Sequence, residues 1–215
     1  DVAELYLLGD ILDFWYEYKY VVPRGYIRFL GKLAELADDG VKITWVVGNH
    51  DVWLFDYLRD QIGLTVLTGC TQVVCQGKRI VISHGDDVGV QPAMYRFTRW
   101  CFHNKVCQWL YAAIHPRWTY PIATGWSNEN RTSRSPETLK AISERAAGRL
   151  LDFSRQHHEL HPDVDAYVYG HLHIARKNEE EGMPPVIFLG DWISLYTYAV
   201  LDSSGHFELK YYKEE

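Results

Sequence analysis

Lys42-Ile-Thr-Trp-Val-Val-Gly-Asn-His-Asp51 passes without interruption from an apolar run into a glycine, an amide, an imidazole and a carboxylate. Three other stretches have the same shape: Glu4-Leu-Tyr-Leu-Leu-Gly-Asp10, Arg79-Ile-Val-Ile-Ser-His-Gly-Asp86 and Asp165-Ala-Tyr-Val-Tyr-Gly-His-Leu-His173. Short apolar runs rich in Val, Ile and Tyr read as strands. One Gly-Asp after a strand is commonly just a turn. Four strand exits bearing Asp, Asn and His describe a metal site at one edge of a buried sheet. Oxygen and imidazole donors suit Mn, Fe or Zn in hydrolysis, and do not suggest a thiolate-rich structural zinc.

The segments between these exits supply the rest of an α/β pattern. Residues 26–39 place Ile27, Leu30, Leu33, Ala34 and Leu36 at helical spacing and stop at Gly40, which predicts a strand–helix–strand unit and a parallel sheet. Residues 51–61 read as a second, short helix. Residues 71–75 and 79–83 flank Gln76-Gly-Lys78 as a hairpin. Ser135-Pro-Glu137 opens a long helix to about His157, with Ser135 as its N-cap. After the 165–169 strand, residues 186–189, 195–201 and 207–211 read as a run of antiparallel strands. Gly190-Asp191 reads as a turn, while His115, His157, His158 and His161 read as surface or packing residues.

A chain of 215 residues is long enough for one domain with a substantial core, and its 47% hydrophobic and 23% charged content is ordinary for a globular protein. No apolar run approaches the ~20 residues that cross a bilayer. Cys70, Cys75, Cys101 and Cys107 have no CxxC spacing and read as free thiols. The net charge of −6 conceals an asymmetry. Residues 88–135 carry six basic side chains against Glu129 alone, a net +5, and four of the eight tryptophans: Trp100, Trp109, Trp118 and Trp126. Such a basic, aromatic segment inside an acidic protein predicts a surface for something anionic and greasy. Tyr95, Phe102 and Trp109 read as packing between its helices.

In order, Gly-Asp, Gly-Asn-His-Asp, His-Gly-Asp and Gly-His-x-His resemble the calcineurin-like metallophosphoesterases. The resemblance implies a four-layer α-β-β-α sandwich, with residues 1–87 and 136–215 as core and 88–135 as an inserted helical lid. It implies two divalent metals, Mn²⁺ first with Fe or Zn as alternatives. Asp10 would bridge them, Asn49, His84 and His171 would complete one, and His173 would bind the other. Two residues apart on an extended strand, His171 and His173 would point to the same side, roughly 6.5–7 Å apart, and straddle a metal pair about 3.5–4 Å apart. His50 would be the catalytic acid or charge stabiliser, and the nucleophile a hydroxide bridging the metals. Asp13 and Asp51 stand where they could orient imidazoles or metal ligands. Asp51 also suits the first turn of the following helix, and Asp86 is open to either a turn or an orienting role. The family pattern begins with Asp-x-His on an earlier strand. None stands upstream of Asp10, so a natural segment carrying it is expected before Asp1.

Through Gly9-Asp-Ile-Leu-Asp-Phe-Trp15, Gly48-Asn-His-Asp-Val-Trp53 and the basic, aromatic segment, the chain most resembles the UDP-2,3-diacylglucosamine diphosphatases of lipid A synthesis. That implies hydrolysis of a nucleotide-sugar pyrophosphate bearing two acyl chains, giving UMP and 2,3-diacylglucosamine 1-phosphate. Arg96, Arg99, Arg131 and Arg134 are then candidates for the diphosphate. The enzyme would be cytoplasmic and peripheral on the inner face of a bacterial inner membrane. Two other functions are open at this point. One is a phosphodiesterase for a soluble nucleotide or nucleic acid end with the same metals; the other is a non-catalytic binding module, should the first motif be truly absent.

Overall fold

The computed structural model describes residues 2–119, 121, 125 and 135–212. Two compact units divide the chain: Asp1–Leu67 with Gln91–Ser135, and Thr68–Val90 with Pro136–Glu215. Trp126, Arg131 and Arg134 lie outside the described residues.

In the first unit, β1 (Glu4–Leu7), β2 (Lys42–Val46) and β3 (Thr65–Leu67) form one sheet in that order, all parallel. Helix α1 (Ile27–Asp38) makes the crossover that parallel neighbours require. Its apolar stripe is narrower than the sequence suggests, since Leu33 is buried and Leu30 and Leu36 pack beside it while Ile27 faces solvent. Gly40, at φ 89°, turns the chain out of the helix. Around Trp15 and Trp45, both fully buried, gather Leu12, Ile43, Leu54, Leu58 and Leu64.

The helix expected over residues 51–61 is shorter: α2 runs Tyr57–Ile62. The reason lies in a distant residue. Buried Glu17 receives the backbone N–H groups of Phe55 (2.5 Å), Asp56 (2.8 Å), Tyr57 (3.0 Å) and Leu58 (3.2 Å). A helix leaves its first N–H groups without intrahelical acceptors, and here one carboxylate from 38 to 41 residues away collects them. Sequence-local capping could not reveal this. Helices α3 (Ala93–His103) and α4 (Lys105–Ala113) meet at Asn104, which ends the first and caps the second by accepting from Val106 and Cys107 N–H. Phe102 packs on Trp53, with ring centroids 5.2 Å apart. Trp109, by contrast, is exposed and not the packing residue its spacing suggests.

The second unit holds a five-stranded sheet ordered β4 (Thr71–Cys75), β5 (Lys78–Ser83), β6 (Ala166–Tyr169), β8 (Val186–Leu189) and β7 (Ala175–Asn178). The central three are parallel. The β4–β5 hairpin closes through Gln76 and Gly77, both left-handed, so its turn is one residue tighter than expected. Helix α5 (Pro136–Leu160) runs three residues past His157 and presses Ala146, Ala147 and Leu150 onto a core with Tyr167, Tyr169 and Phe188. Two short strands escaped the sequence reading. One is β3; the other, β7, is an edge strand whose Arg176, Lys177 and Asn178 lack an apolar pattern. The expected antiparallel run is also split: β8 lies parallel to β6, while β9 (Thr197–Leu201) and β10 (Phe207–Tyr211) form a separate antiparallel pair. β9 starts at Thr197, not at residue 195, because Asp191 draws the N–H of Leu195 into a turn.

Replacing Glu17 with Ala would strand several N–H groups at the start of α2, and we expect unfolding stability in urea to fall by ~3 kcal/mol. A fall below ~1 kcal/mol would show that α2 holds its own N-terminus.

Candidate functional site

Each unit gathers its sequence-predicted residues at the carboxyl ends of its parallel strands, where open α/β sheets present ligand-binding side chains. In the first unit the register pairs Leu7 with Trp45, so β1 and β2 release their exits side by side. Asp51, with no solvent exposure, fastens them. Its carboxylate accepts from Gly48 N–H (2.7 Å), Ile11 N–H (2.9 Å) and Trp45 Nε1–H (3.1 Å). Asp51 therefore has neither a helical role nor a reach to substrate; it holds the two loops in register. Asp10, at φ 55°, accepts the His50 N–H at 2.8 Å. A left-handed backbone is uncommon outside glycine, and where it persists the surroundings impose it. Gly48 lies so close behind that a Cβ there would collide with the Asp10 side chain and amide.

The His50 ring bonds Asp13 Oδ1 through Nδ1 at 2.7 Å and meets the Phe14 ring at 5.3 Å. A carboxylate on Nδ1 fixes the tautomer and orientation of an imidazole, as Asp13 does for the His50 ring. Asn49 is half-buried beside them.

In the second unit His84 follows β5, His171 and His173 follow β6, and Asp191 follows β8. His84 is buried, and its Nε2 lies 3.0 Å from His171 Nδ1. Ser83 Oγ takes the Gly85 N–H at 3.0 Å and donates to Asp87 at 3.1 Å, shaping the loop that carries His84. Asp86 is buried in the same loop. His171 and His173 do not sit on an extended strand as predicted, because β6 stops at Tyr169 and both residues are left-handed, at φ 64° and 53°. The Gly-His-x-His segment is thus a pair of tight bends, and it is the bends that aim the imidazoles.

Asp191 is the residue the sequence reading missed. Its Oδ2 lies 3.2 Å from His173 Nδ1, while Oδ1 accepts from Ile193 (2.8 Å), Ser194 (2.6 Å) and Leu195 (3.0 Å) N–H. Burial opposes its charge, yet those three N–H groups and the His173 ring outweigh it and hold the carboxyl down from its ordinary 3.8 to about 2. The signal was present: Gly190-Asp191 ends an apolar strand as Gly9-Asp10 does. Arg96 and Arg99 both lie on α3, the first exposed and the second half-buried.

The donors are carboxylate, amide and imidazole, several held by a second bonded group. That chemistry fits divalent metals with nitrogen and oxygen preference. The first unit also contains a cavity of about 430 Å³, walled by Phe14, Trp53, Phe102, Tyr111, Ile114 and Trp118 among others. Phe14 thus joins the cavity wall to the His50 ring.

A family model described as calcineurin-like phosphoesterase matches residues 2–175. A Porphyromonas gingivalis protein named UDP-2,3-diacylglucosamine hydrolase is 40% identical, over 95% of this chain and 82% of its own length. One of the same name from Edwardsiella ictaluri is 28% identical over 79% of this chain and 62% of its own. Among solved structures, Vps29 from Entamoeba histolytica covers 96% of each chain at 13% identity and a TM-score of 0.37.

Gly48→Ala should displace Asp10, and we expect phosphohydrolase activity to drop at least ~10-fold with the fold retained by circular dichroism. Unchanged activity would mean the loop yields freely. Asp191 yields a pH signature. A carboxyl depressed in the fold stabilises it fully above its unfolded value of 3.8 and ceases to do so as pH falls to about 2. The thermal midpoint of wild type should exceed that of Asp191→Asn by a constant margin above about pH 5 and by roughly half that margin near pH 3. A margin that does not change with pH would contradict the charge pairing.

Proposed function

Since this chain belongs to the calcineurin-like phosphoesterase family, and is a metal-dependent phosphohydrolase, we propose that it hydrolyses the pyrophosphate of UDP-2,3-diacylglucosamine, releasing UMP and 2,3-diacylglucosamine 1-phosphate. The observation that carries this reading is the relative bearing that substrate's name, 40% identical along 95% of the chain. The apolar cavity of about 430 Å³ against Phe14 supports it: acyl chains need dry walls, and Phe14 places those walls beside His50.

In this reading Asp10, Asn49, His84, His171 and His173 would hold two divalent ions, Mn²⁺ being the first expectation. Bound there, the ions neutralise phosphate oxygens and lower the pKa of water. The chain's own groups do the rest. Asp10 would supply the ions an anionic oxygen donor, and Asn49 would bring an oxygen donor without adding charge. His50, held by Asp13, donates a hydrogen bond to the equatorial or leaving oxygen of the phosphoryl group. Asp191 fixes the His173 ring. Arg96 and Arg99, with Arg131 and Arg134 outside the described residues, attract the diphosphate, and residues 88–135 act as the lid.

Exposed Phe97, Trp100 and Trp109 share α3 and α4 with Arg96, Arg99 and Lys105. This face suits peripheral attachment to an anionic bilayer at the cytoplasmic side. Among the described residues no helix is long and apolar enough to cross one.

With Mn²⁺ and full-length protein, UMP should appear from detergent-dispersed UDP-2,3-diacylglucosamine. Chelation should abolish it and Asp10→Ala should reduce it at least ~100-fold. Metal-dependent hydrolysis of bis-p-nitrophenyl phosphate without UMP release would keep the hydrolase and remove this substrate.

A further inference from the structure

Beyond the residues assigned above, the second unit carries an aromatic cluster that neither its core nor the proposed chemistry uses. Trp192, 59% exposed, follows Asp191 directly. Tyr196, Tyr198 and Tyr212 surround its indole, with ring centroids 6.4, 6.4 and 5.6 Å away. Tyr198 and Tyr212 lie at 37° and 35° to the indole, and Tyr196 meets it edge-on at 88°.

The cluster is built rather than loose. Asp191 ties down the amides of Ile193, Ser194 and Leu195, its own carbonyl accepts from Thr197 N–H at 3.2 Å, and Tyr196 C=O accepts from Tyr212 N–H at 2.7 Å. Tyr196 is held at φ 52°, a costly conformation for a bulky aromatic residue. The ring thus strained is left 45% exposed, so core packing gives no return for the strain. An exposed, immobilised indole backed by tyrosines is a stacking surface for another flat ring.

Its place in the chain says which ring. Asp191 holds the His173 imidazole at 3.2 Å, and Trp192 is the next residue, one Cα step of ~3.8 Å away. Trp192 is thus an exposed aromatic side chain next in sequence to the carboxylate that bonds His173. We propose that Trp192, braced by Tyr196, Tyr198 and Tyr212, stacks on the nucleobase of the substrate's nucleoside half and sets the preference for a nucleotide over a base-free phosphate. This rests on the proposed substrate and names the side chain that recognises its uridine end. Stacking reads the face of a base rather than its edge, so Trp192 favours a base without selecting uracil among bases.

Calorimetric titration of the Mn²⁺-loaded, full-length protein with UMP and with ribose 5-phosphate tests this, alongside Trp192→Ala and Trp192→Phe. Wild type should bind UMP about tenfold or more tightly than ribose 5-phosphate, as loss of one base stack predicts. Trp192→Ala should lose that preference with its ribose 5-phosphate affinity kept, and Trp192→Phe should regain most of it. Equal UMP affinity in wild type and Trp192→Ala, while wild type still releases UMP from the acylated substrate, overturns the stacking role alone. So does a Trp192→Ala protein that loses both ligands equally, since that marks damage to His173. Wild type that neither prefers UMP nor releases it from the acylated substrate overturns this proposal together with the substrate reading.

Discussion

In the first unit, the buried carboxylate of Asp51 is the constraint from which the site geometry follows. Three donors converge on it, one from within β2, one from the β2 exit and one from the β1 exit. A buried charge left without partners would cost several kcal/mol, so the loops have one arrangement in which Asp51 is satisfied. That arrangement brings the His50 amide onto Asp10 and sets Gly48 against it. Trp45 takes part through Nε1 while its ring fills the core, so core packing and loop position are one interaction.

Strain is distributed in keeping with this. Asp10, His171 and His173, all proposed ligands, are held left-handed, and so is Tyr196 in the loop that Asp191 organises. Each costs on the order of 1–3 kcal/mol and needs a rigid frame to persist. The parallel strands and their two cores provide that frame. Side chains carried on such bends stay where they are aimed, which a metal centre requires of its ligands.

Two acidic residues gather backbone amides in ways that resemble each other. Glu17 collects the amides at the start of α2, and Asp191 collects those of the loop before β9. Glu17 does so from 38 to 41 residues away, whereas Asp191 does so within its own turn, two to four residues on. Both therefore moved an element boundary away from where periodicity alone placed it.

The strand–glycine–ligand exits, the parallel β1–α1–β2 unit, the long α5 helix and the family were legible in the sequence, because they follow from short-range patterns of apolar residues and donors. The sequence also marked Asp13 and Asp51 as groups that could orient imidazoles or metal ligands, and left Asp51 open to a first-turn helical role. In the fold Asp51 lies outside α2, and its carboxylate holds the β1 and β2 loops together. Only the fold could also show that Glu17 starts α2, that Asp191 bonds the His173 ring, that β7 pairs at an edge despite its charges, and that Trp109 points outward while Phe102 packs on Trp53. The physical reason is common to all of them. A carboxylate, an edge strand or an aromatic ring takes its role from the partner it meets, and those partners lie from 8 to 49 residues away along the chain.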